Sequence, residues 1–366
     1  MTSVTSLKTL AQCRDEIDSI DDELLELLNR RMKVVERVGE IKNDSGGAIY
    51  RPEREHEIID RLTLKSVKDG GVLNKEAIEA LFLEIFAISR NLELPEKIAY
   101  LGPEGSFTHQ AAESRFGAMS DYLPLNSIHA VFNALQTKRA KFGVVPIENS
   151  RDGAVGETLD FLAKSSYKIV AELYMPIHLS FATSARHLKD VKRIYSKDKG
   201  FGQCRDFLIE HELQDIEQIP VESTAKAAKL AAVDPEAAAI CSHIAAKLYD
   251  VPNMFENIED VDTNTTRFVI LSNFENAQHE SSKTSILVRL KDGNEAGALA
   301  HFLDDFDKAE INLSKIESRP SKEGDGFGYW FYIDFYGHIR DERLIPILKE
   351  RADEITWLGS YVKGNI

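Results

Sequence analysis

The segment LKTLAQCRDEIDSIDDELLELLNRRMKVVERVGEI (Leu7–Ile41) carries the clearest structural pattern of the chain. Its apolar residues recur every seven positions in two rows, which predicts one long amphipathic helix. The first row holds Leu10, Ile17, Leu24 and Val38, and the second holds Cys13, Ile20, Leu27, Val34 and Ile41. Between Leu24 and Val38 the first row is interrupted by Arg31. Because a guanidinium on a packed helix face is costly unless an anion meets it there, this interruption indicates an anion site.

Two further cations, Arg14 and Lys42, flank the same stripe. The predicted helix is about 50 Å long, whereas a compact module of about 95 residues is only about 30 Å across. A second copy of the chain is therefore expected to cover part of the stripe. Arg14 lies roughly 25 Å along the axis from Arg31, so a small ligand that contacts both needs Arg14 from the partner. Each cation alone could extend to water, but three on one face favour a bound anion.

The N-terminal cations belong to a set that resembles the active site of the all-helical chorismate mutases. The matching residues are Arg14, Arg31, Lys42, Arg54, Glu55, Ser89 and Glu93. The resemblance covers about residues 6–95 and implies an intertwined dimer of three-helix chains, with one arginine of each site donated by the partner. It implies that Arg14 and Arg31 bind the two carboxylates of chorismate and that Lys42 donates to the ether oxygen. Glu55 would accept the substrate hydroxyl, and Arg54 would support the site.

Glu93 stands where a related mutase has glutamine, whose amide donates to the ether oxygen. It lies one turn after Ser89 and so shares its face. An ionised carboxylate can only accept hydrogen bonds, and it would repel the charge that develops on that oxygen. We therefore expect Glu93 to act in its protonated form, with mutase activity that falls as pH rises.

Length and composition limit the class of protein. The chain has 366 residues, which suggests two or three domains, and its formal net charge of −15 argues against a nucleic-acid partner. No apolar run approaches the about 20 residues of a membrane span, and the N-terminus has no apolar core of a secretion signal. Cys13, Cys204 and Cys241 are few and never closely paired. We expect neither disulfides nor a zinc site, no other metal or cofactor, and a reducing cytoplasm as the compartment.

The predicted domains are 1–95, 96–281 and 282–366. In the first, Gly46-Gly47 ends the long helix, Pro52 begins a second, and Asn74 caps a third that runs to about Glu93. The middle region alternates strands and helices over about 180 residues, as is typical of α/β domains. The last region reads strand, helix, strand, strand, helix, strand, a ferredoxin-like α+β pattern.

Three segments of the central domain place polar residues beside strand ends. YLGPEGSFTHQAA (Tyr100–Ala112) has glycines and Ser106 before a helix, where backbone N–H groups can bind an anion, although this segment taken alone is better explained as an ordinary strand-to-helix turn. VVPIENSRDGAVGETLDFL (Val144–Leu162) leaves a strand for a glycine-rich turn, at the sheet edge where ligands bind. In TNTTRFVIL (Thr263–Leu271), a threonine can donate to a leaving oxygen and an arginine can bind a carboxylate through two bonds.

Together these segments resemble prephenate dehydratase, over essentially all of residues 97–280. The triplet Thr266-Arg267-Phe268 is that family's hallmark, and the resemblance implies that Thr266 is catalytic. The implied substrate-binding residues are Ser106, Glu148, Asn149, Ser150, Gly153, Ser223, Thr224, Arg267 and Phe268. Many members carry Ser-His-Pro-Gln where this chain has Ser196-Lys197-Asp198-Lys199. No role passes from that histidine, and Lys197 and Lys199 are either substitutes for it or solvated surface residues.

The C-terminal region has two short motifs, Gly297-Ala298-Leu299 at a helix start and SKIESRP (Ser314–Pro320) at a strand end. It resembles the ACT domain in the phenylalanine-sensing version attached to prephenate dehydratases, although Ala296 replaces the usual proline. The resemblance implies a phenylalanine site between paired modules. Its residues are Gly297, Ala298, Leu299, Asn312, Leu313, Ser314, Glu317, Ser318 and Arg319. The same residues could instead only shape a dimer interface.

The resemblances together imply a bifunctional enzyme of L-phenylalanine biosynthesis. It would isomerise chorismate to prephenate, convert prephenate to phenylpyruvate, and be inhibited by phenylalanine, as a homodimer or homotetramer. A mutase fused to a ligand-binding sensor without dehydratase turnover is the alternative, although a pure sensor has no need of the N-terminal cations. A fusion to prephenate dehydrogenase would need a G-x-G-x-x-G turn, and GPEGSF has the wrong spacing.

Overall fold

The N-terminal module is a set of three helices. A computed structural model describes residues 9–45, 52–93, 96–291, 295–321 and 328–364, and for 42–45 and 52 it describes the backbone alone. The helices are α1 (Leu10–Ser45), α2 (Pro52–Lys68) and α3 (Lys75–Glu93). Gly70 follows α2 at φ +66°, and Asn74 Oδ1 accepts the N–H group of Ala77 at 2.9 Å. The three predicted helices are confirmed, while Gly46-Gly47 lies outside the described residues.

The apolar stripe of α1 is largely open in the single chain. α1 packs closely against the end of α3, because a Cβ at Gly39 would lie 3.0 Å from Cα of Glu93. Away from that contact, Leu10 is 68% exposed and Ile17 is 55% exposed. The other exposed large apolar residues of α1 are Ile20, Leu24, Leu25, Leu27, Val34, Val38 and Ile41. An apolar surface of this extent favours a partner protein over solvent.

The central domain has two sheets. Its elements in chain order are β1 (Lys97–Leu101), α4 (Phe107–Phe116), β2 (Asp121–Leu125), α5 (Ile128–Gln136), β3 (Phe142–Asn149), β4 (Gly153–Ala154), α6 (Gly156–Leu162), β5 (Lys168–Pro176), β6 (Ser180–Thr183), β7 (Arg193–Ser196), α7 (Asp198–Gln203), α8 (Arg205–Glu210), β8 (Glu217–Pro220), α9 (Thr224–Ala231), β9 (Ala237–Cys241), α10 (His243–Leu248), β10 (Asn253–Phe255) and β11 (Thr265–Ser272). The first sheet has the order β2-β1-β3-β11-β5, with β4 on β3, and the second has the order β10-β6-β9-β7-β8. Each sheet forms one lobe.

Strand direction brings the predicted site segments to one edge of the first sheet. β1 and β3 run parallel, so their C-terminal ends lie together. β11 runs antiparallel to β3, which places its first residues at that same edge, with Thr266 opposite Asn149. The second lobe likewise has β7 parallel to β8 and to β9.

The segments KIAYLG, FGVVPIEN, KIVAEL, IHLSFAT, KRIYS and RFVILS each read as a strand, and the structure confirms them as β1, β3, β5, β6, β7 and β11. The five missed strands of the central domain are β2, β4, β8, β9 and β10. β9 is the clearest case, because its sequence AAAIC is rich in the best helix former, yet all five residues are buried. Pairing with β6 on one side and β7 on the other imposes the strand.

The C-terminal module follows the predicted order of elements. These are β12 (Ser282–Val288), α11 (Ala298–Lys308), β13 (Leu313–Pro320), β14 (Tyr329–Tyr336), α12 (Ile345–Glu350) and β15 (Ile355–Val362). The antiparallel sheet has the order β13-β14-β12-β15. Phe302 and Phe306 of α11 pack on one face, and Trp330 and Tyr332 on the other face join the core of the central domain. Gly359 is required for this contact, since a Cβ there would overlap the backbone of Ile169.

The part of the chain that the structure describes contains neither a membrane-spanning helix nor a clustered metal site. Within it, no helix is long and apolar enough to cross a membrane. Within the same ranges, no group of three or more histidine, cysteine, aspartate or glutamate side chains could hold a metal ion.

Candidate active sites

Arg31 lies at the contact between α1 and α3. Its Nη1 donates to Ser89 Oγ at 2.5 Å, and its guanidinium carbon is 6.0 Å from the centre of the Phe86 ring. Ser89 Oγ in turn donates to the carbonyl of Ile85 at 2.6 Å. Burial lowers the pKa of Arg31, and the charge of Glu93 acts in the opposite direction. The structure thus brings together Arg31, Ser89 and Glu93 of the predicted set.

Two other candidates of this module, Arg14 and Arg54, lie away from Arg31. Arg14 is exposed on α1, roughly 25 Å along the axis from Arg31. Arg54 is exposed on α2, where its Nη1 donates to Glu57 Oε2 at 2.7 Å. The side chain of Lys42 lies outside the described residues. Roles for these three in binding a substrate remain predictions.

Glu55 is held between two arginines. Its carboxylate accepts a hydrogen bond from Arg90 and lies 3.5 Å from Nη2 of Arg115, which belongs to α4 of the central domain. Arg90 also donates to the carbonyl of Phe116 at 3.0 Å. Neither arginine was predicted to contact Glu55, because the three residues lie on helices that are distant in the chain. No local sequence pattern indicates such a contact. In the single chain Glu55 joins two domains, and its contact with a substrate hydroxyl remains a prediction.

Thr266 meets Asn149 at the edge of the first sheet. Asn149 Nδ2 donates to Thr266 Oγ1 at 2.9 Å and to Asn264 Oδ1 at 2.8 Å. Asn149 Oδ1 accepts the N–H groups of Arg151 and Asp152 at 2.9 and 3.0 Å, which fixes the orientation of the amide. The amide proton occupies an acceptor site on Oγ1, so the hydroxyl of Thr266 still has its one proton to donate. Asn264 was missed, although the polar run before β11 is a signal that could have found it.

Ser150 and Gly153 shape the turn that carries Asn149. Ser150 Oγ donates to the carbonyl of Thr263 at 3.1 Å and accepts the N–H group of Thr265 at 3.0 Å. Gly153 has φ +79° and pairs with Asn149 across the turn. These contacts join the turn after β3 to the start of β11, and so they support the asparagine–threonine pair.

Two helix starts from different lobes also meet. Ser106 Oγ caps α4 by accepting the N–H group three residues later at 3.2 Å, and Ser223 Oγ caps α9 in the same way at 3.1 Å. A Cβ at Gly105 would lie 3.3 Å from Cβ of Ala225, so the loop before α4 touches the first turn of α9. Thr224 is half-buried beside it. Both helix starts carry partial positive charge, which suits an anionic ligand.

An ion pair links the two lobes. Lys199 Nζ of α7 lies 3.0 Å from both carboxylate oxygens of Asp152, in the turn after β3. Both side chains are about two-thirds exposed, so the pair adds little stability. Of the two lysines in question, Lys199 is the one that contacts this turn, while Lys197 is exposed at the start of α7.

The structure corrects the assignment of Arg267 to the substrate. Its residue surface is only 3% exposed, and its Nε, Nη1 and Nη2 atoms donate to Glu172, Asp334 and Tyr361 at 2.8, 2.6 and 2.9 Å. Successive side chains of a strand point to opposite faces. Because Thr266 faces Asn149, the next side chain is directed to the C-terminal module.

Glu148 and Phe268 are corrected as well. Glu148 Oε2 lies 2.7 Å from Nζ of Lys315 in β13, because Glu148 pairs with Arg267 and shares its face. Phe268 is 2% exposed and packs in the core of the central domain with Tyr100 and Phe142. Burial of the apolar ring in that core stabilises the fold more than its exposure at a polar sheet edge would.

The predicted phenylalanine-site residues separate into two groups. Gly297 has φ +88° and precedes α11, where Ala298 and Leu299 are half-buried. The residues Asn312, Leu313, Ser314, Glu317, Ser318 and Arg319 lie on or beside β13, which is the edge strand. Of these, Asn312, Ser314 and Ser318 are exposed.

Arg319 and Glu317 are directed to the central domain, which corrects their assignment to an effector. A Cβ at Gly156 would overlap the Arg319 guanidinium, and Arg319 Nε lies 3.8 Å from Asp160 Oδ1 in α6. Glu317 pairs with Tyr332, whose hydroxyl donates to the carbonyl of Leu159 at 2.7 Å. Alternation along β13 therefore turns both side chains toward α6.

Two family models match the N-terminal module and the central domain. Residues 13–94 match the family model "Chorismate mutase type II", and residues 98–276 match "Prephenate dehydratase". The "Bifunctional chorismate mutase/prephenate dehydratase" of Aquifex aeolicus (strain VF5) is 42% identical over 98% of this chain and 99% of its own length. This chain belongs to the bifunctional chorismate mutase/prephenate dehydratase family.

Solved structures resemble most of this family member. Prephenate dehydratase from Arthrobacter aurescens, in complex with L-Phe, is 32% identical, with a TM-score of 0.65 over 73% of this chain and 90% of that chain. GqqA, described as a novel type of quorum quenching acylase, is 25% identical, with a TM-score of 0.65 over 73% of this chain and 97% of that chain. Because these two similar proteins are described with different activities, the fold alone does not fix the chemistry.

Proposed function

We propose that this chain isomerises chorismate to prephenate in its helical module and converts prephenate to phenylpyruvate in its central domain. The main support for the dehydratase step is the hydrogen bond between Asn149 and Thr266 at the sheet edge. The main support for the mutase step is the hydrogen bond from Arg31 to Ser89. The two reactions are consecutive, so one chain would catalyse both steps.

The mutase step needs electrostatic help and no nucleophile. Chorismate is a dianion that rearranges through a compact conformer, and negative charge grows on the breaking ether oxygen. Arg31, oriented by Ser89, binds one carboxylate, and the partner subunit's Arg14 binds the other. Lys42 donates to the ether oxygen. The roles proposed for Arg54 and Glu55 require α2 to exchange its present ion pairs for substrate.

We propose a homodimer built on α1. The apolar stripe of that helix is exposed in the single chain, which supports a second copy as its cover. A single helix cannot bring Arg14 and Arg31 to one small ligand, so the same pairing would complete each mutase site.

Replacing Glu93 by glutamine should flatten the pH profile of the mutase reaction. A carboxyl group donates to the ether oxygen only in its protonated form, whereas a glutamine amide donates at every pH, so the wild-type kcat/KM should fall at higher pH and that of the variant should not. We would measure kcat/KM for chorismate from about pH 5 to about pH 9. Glu79→Gln, on an exposed part of α3, is the control and should keep the wild-type profile. The same falling profile in Glu93→Gln would contradict the proposal.

The dehydratase step needs a donor for the leaving hydroxyl. As the bond to the departing carboxylate breaks, its electron pair enters the ring and expels hydroxide, and the ring becomes aromatic. Thr266 donates to the leaving oxygen, while Asn149 holds Oγ1 in place. The starts of α4 and α9, with Ser106, Ser223 and Thr224, would bind the carboxylates of prephenate.

We also propose that the C-terminal module is an ACT domain, with domain boundaries 1–95, 96–281 and 282–366. Its order of strands and helices supports this, and so does the left-handed Gly297 that exposes N–H groups at the start of α11. A similar prephenate dehydratase was solved with L-Phe. The proposed effector residues are Gly297, Ala298, Leu299, Asn312, Leu313, Ser314 and Ser318.

Purified protein supplied with chorismate alone should form phenylpyruvate, and phenylalanine should suppress that formation. The assay follows prephenate and phenylpyruvate separately, with and without phenylalanine, and uses Ser314→Ala as a variant on the exposed edge strand. Prephenate that accumulates without phenylpyruvate would leave a mutase fused to a binding module. Phenylpyruvate formation that phenylalanine does not change would overturn the effector proposal alone.

A further inference from the structure

A buried group of charges joins the central domain to the C-terminal module behind Thr266. We call it the interdomain charge cluster; it consists of Glu172, Arg267, Lys283, Asp334 and Tyr361. Arg267 donates to the other three acceptors, as given above, and Lys283 Nζ donates to Glu172 Oε2 at 3.0 Å. Lys283 Nζ also lies 3.6 Å from Asp334 Oδ2. Glu172 and Arg267 come from the central domain, and the rest come from the C-terminal module.

Within the cluster two cations face two carboxylates, and the neighbouring Glu148, whose Oε2 lies 3.8 Å from Arg267 Nη1, is itself paired with Lys315. Burial alone would raise the pKa of Asp334, but Arg267 and Lys283 outweigh it and lower that pKa below its ordinary value. The side chain of Glu172 is fully buried, and that of Arg267 is 3% exposed. Removal of one charge from such a pair leaves the other buried and uncompensated, which is strongly unfavourable. The cluster is therefore a stiff link between domains.

The cluster is attached directly to the threonine that the dehydratase step uses. Arg267 is the next residue after Thr266, and the pairing of β11 with β3 changes register between Arg267 and Phe268. Such an irregularity redirects the side chains beside it. Thr266 therefore lies just before this irregularity and contacts Asn149. The charged residue that joins its strand to the C-terminal module is Arg267.

We propose that Arg267 is a positioning residue of the dehydratase site, through which the C-terminal module fixes Thr266 against Asn149. Movement of β14 or β15 would pull Arg267 through Asp334 and Tyr361 and so displace the hydroxyl of Thr266. The inference rests on the proposed dehydratase function. Under this proposal, the single residue Arg267 connects the C-terminal module to the hydroxyl of Thr266.

The test uses Asp334→Asn in the full-length chain, because Asp334 lies in the C-terminal module and does not line the sheet edge. Asp305→Asn is the matched control, since Asp305 pairs with Arg351 at 2.6 Å inside the same module. Tyr361→Phe removes one hydrogen bond to Arg267 without changing the net charge. This variant replaces Asp334→Asn in the test if Asp334→Asn does not fold. We would measure kcat and KM for prephenate, the response to phenylalanine, mutase activity, and hydrogen exchange of the peptide 263–272.

In Asp334→Asn we expect the dehydratase kcat to fall roughly ten- to hundredfold, since a shift of about 1 Å at a reacting group has that effect. KM should stay within about threefold, exchange at 263–272 should rise, and phenylalanine should lose its effect, while mutase turnover and Asp305→Asn stay near wild type. Tyr361→Phe should change the same quantities less. A rise in KM alone, or values equal to those of Asp305→Asn, would overturn the proposal. Faster exchange in Asp334→Asn than in wild type, together with a wild-type chain that makes no phenylpyruvate, would instead refute the dehydratase function and keep the mechanical link.

Discussion

Replacing Thr266 by valine should lower the dehydratase kcat by roughly 10²- to 10⁴-fold, the usual contribution of a positioned acid. Valine keeps the shape of the side chain but has no proton to donate to the leaving hydroxyl. The residue is 8% exposed, so an isosteric change preserves the packing of β11. The measurement is phenylpyruvate formation from prephenate at saturating substrate. Mutase turnover, in a separate domain, should stay within about twofold of wild type.

Thr266→Ser is the matched control, because serine keeps the hydroxyl that Asn149 holds. It should retain most of the dehydratase activity. A valine variant with near wild-type phenylpyruvate formation would remove Thr266 from the mechanism. Loss of both activities in parallel would show that the substitution unfolds the chain, and the serine variant would then decide the question.

Local patterns predicted the parts of the sites that depend on one element or on one sheet edge. The seven-residue rows identified α1 and placed Arg31 on its packed face, where Ser89 meets it. Polar residues at the end of β3 were expected to bind a ligand, because ligands bind at the carboxyl ends of strands in an open sheet. The contact of Asn149 with Thr266 was not predicted, since it depends on β11 running antiparallel to β3.

Contacts between domains could not be predicted in this way. Arginine is a common partner for the carboxylate of a substrate, and only the structure shows that the carboxylates bound by Arg267 are those of Glu172 and Asp334. Arg115 and Glu55 likewise meet because α4 packs beside α2 and α3. A sequence shows that a cation needs an anion, but it does not show whether that anion is a side chain or a substrate.

We expect each mutase site to be divided between two chains, with Arg31 from one chain and Arg14 from its partner. Arg14→Ala and Arg31→Ala should each lower mutase kcat/KM by roughly 10²- to 10³-fold as homodimers, the usual effect of removing one donor to developing charge. A heterodimer of the two variants, purified through two different tags, should recover about half of the wild-type activity. One of its sites receives Arg14 from the partner and keeps its own Arg31, while the other site has neither arginine.

The reciprocal heterodimer separates this arrangement from a site formed within one chain. It pairs the wild-type chain with the double variant Arg14→Ala/Arg31→Ala. If each site takes Arg14 from the partner, both of its sites lack one arginine and activity should be nearly absent. If each site is formed by one chain, the wild-type chain keeps an intact site and about half of the activity remains, while the heterodimer of single variants is inactive. The two heterodimers thus give opposite results, and because they contain the same substitutions, a general loss of stability cannot produce the pattern.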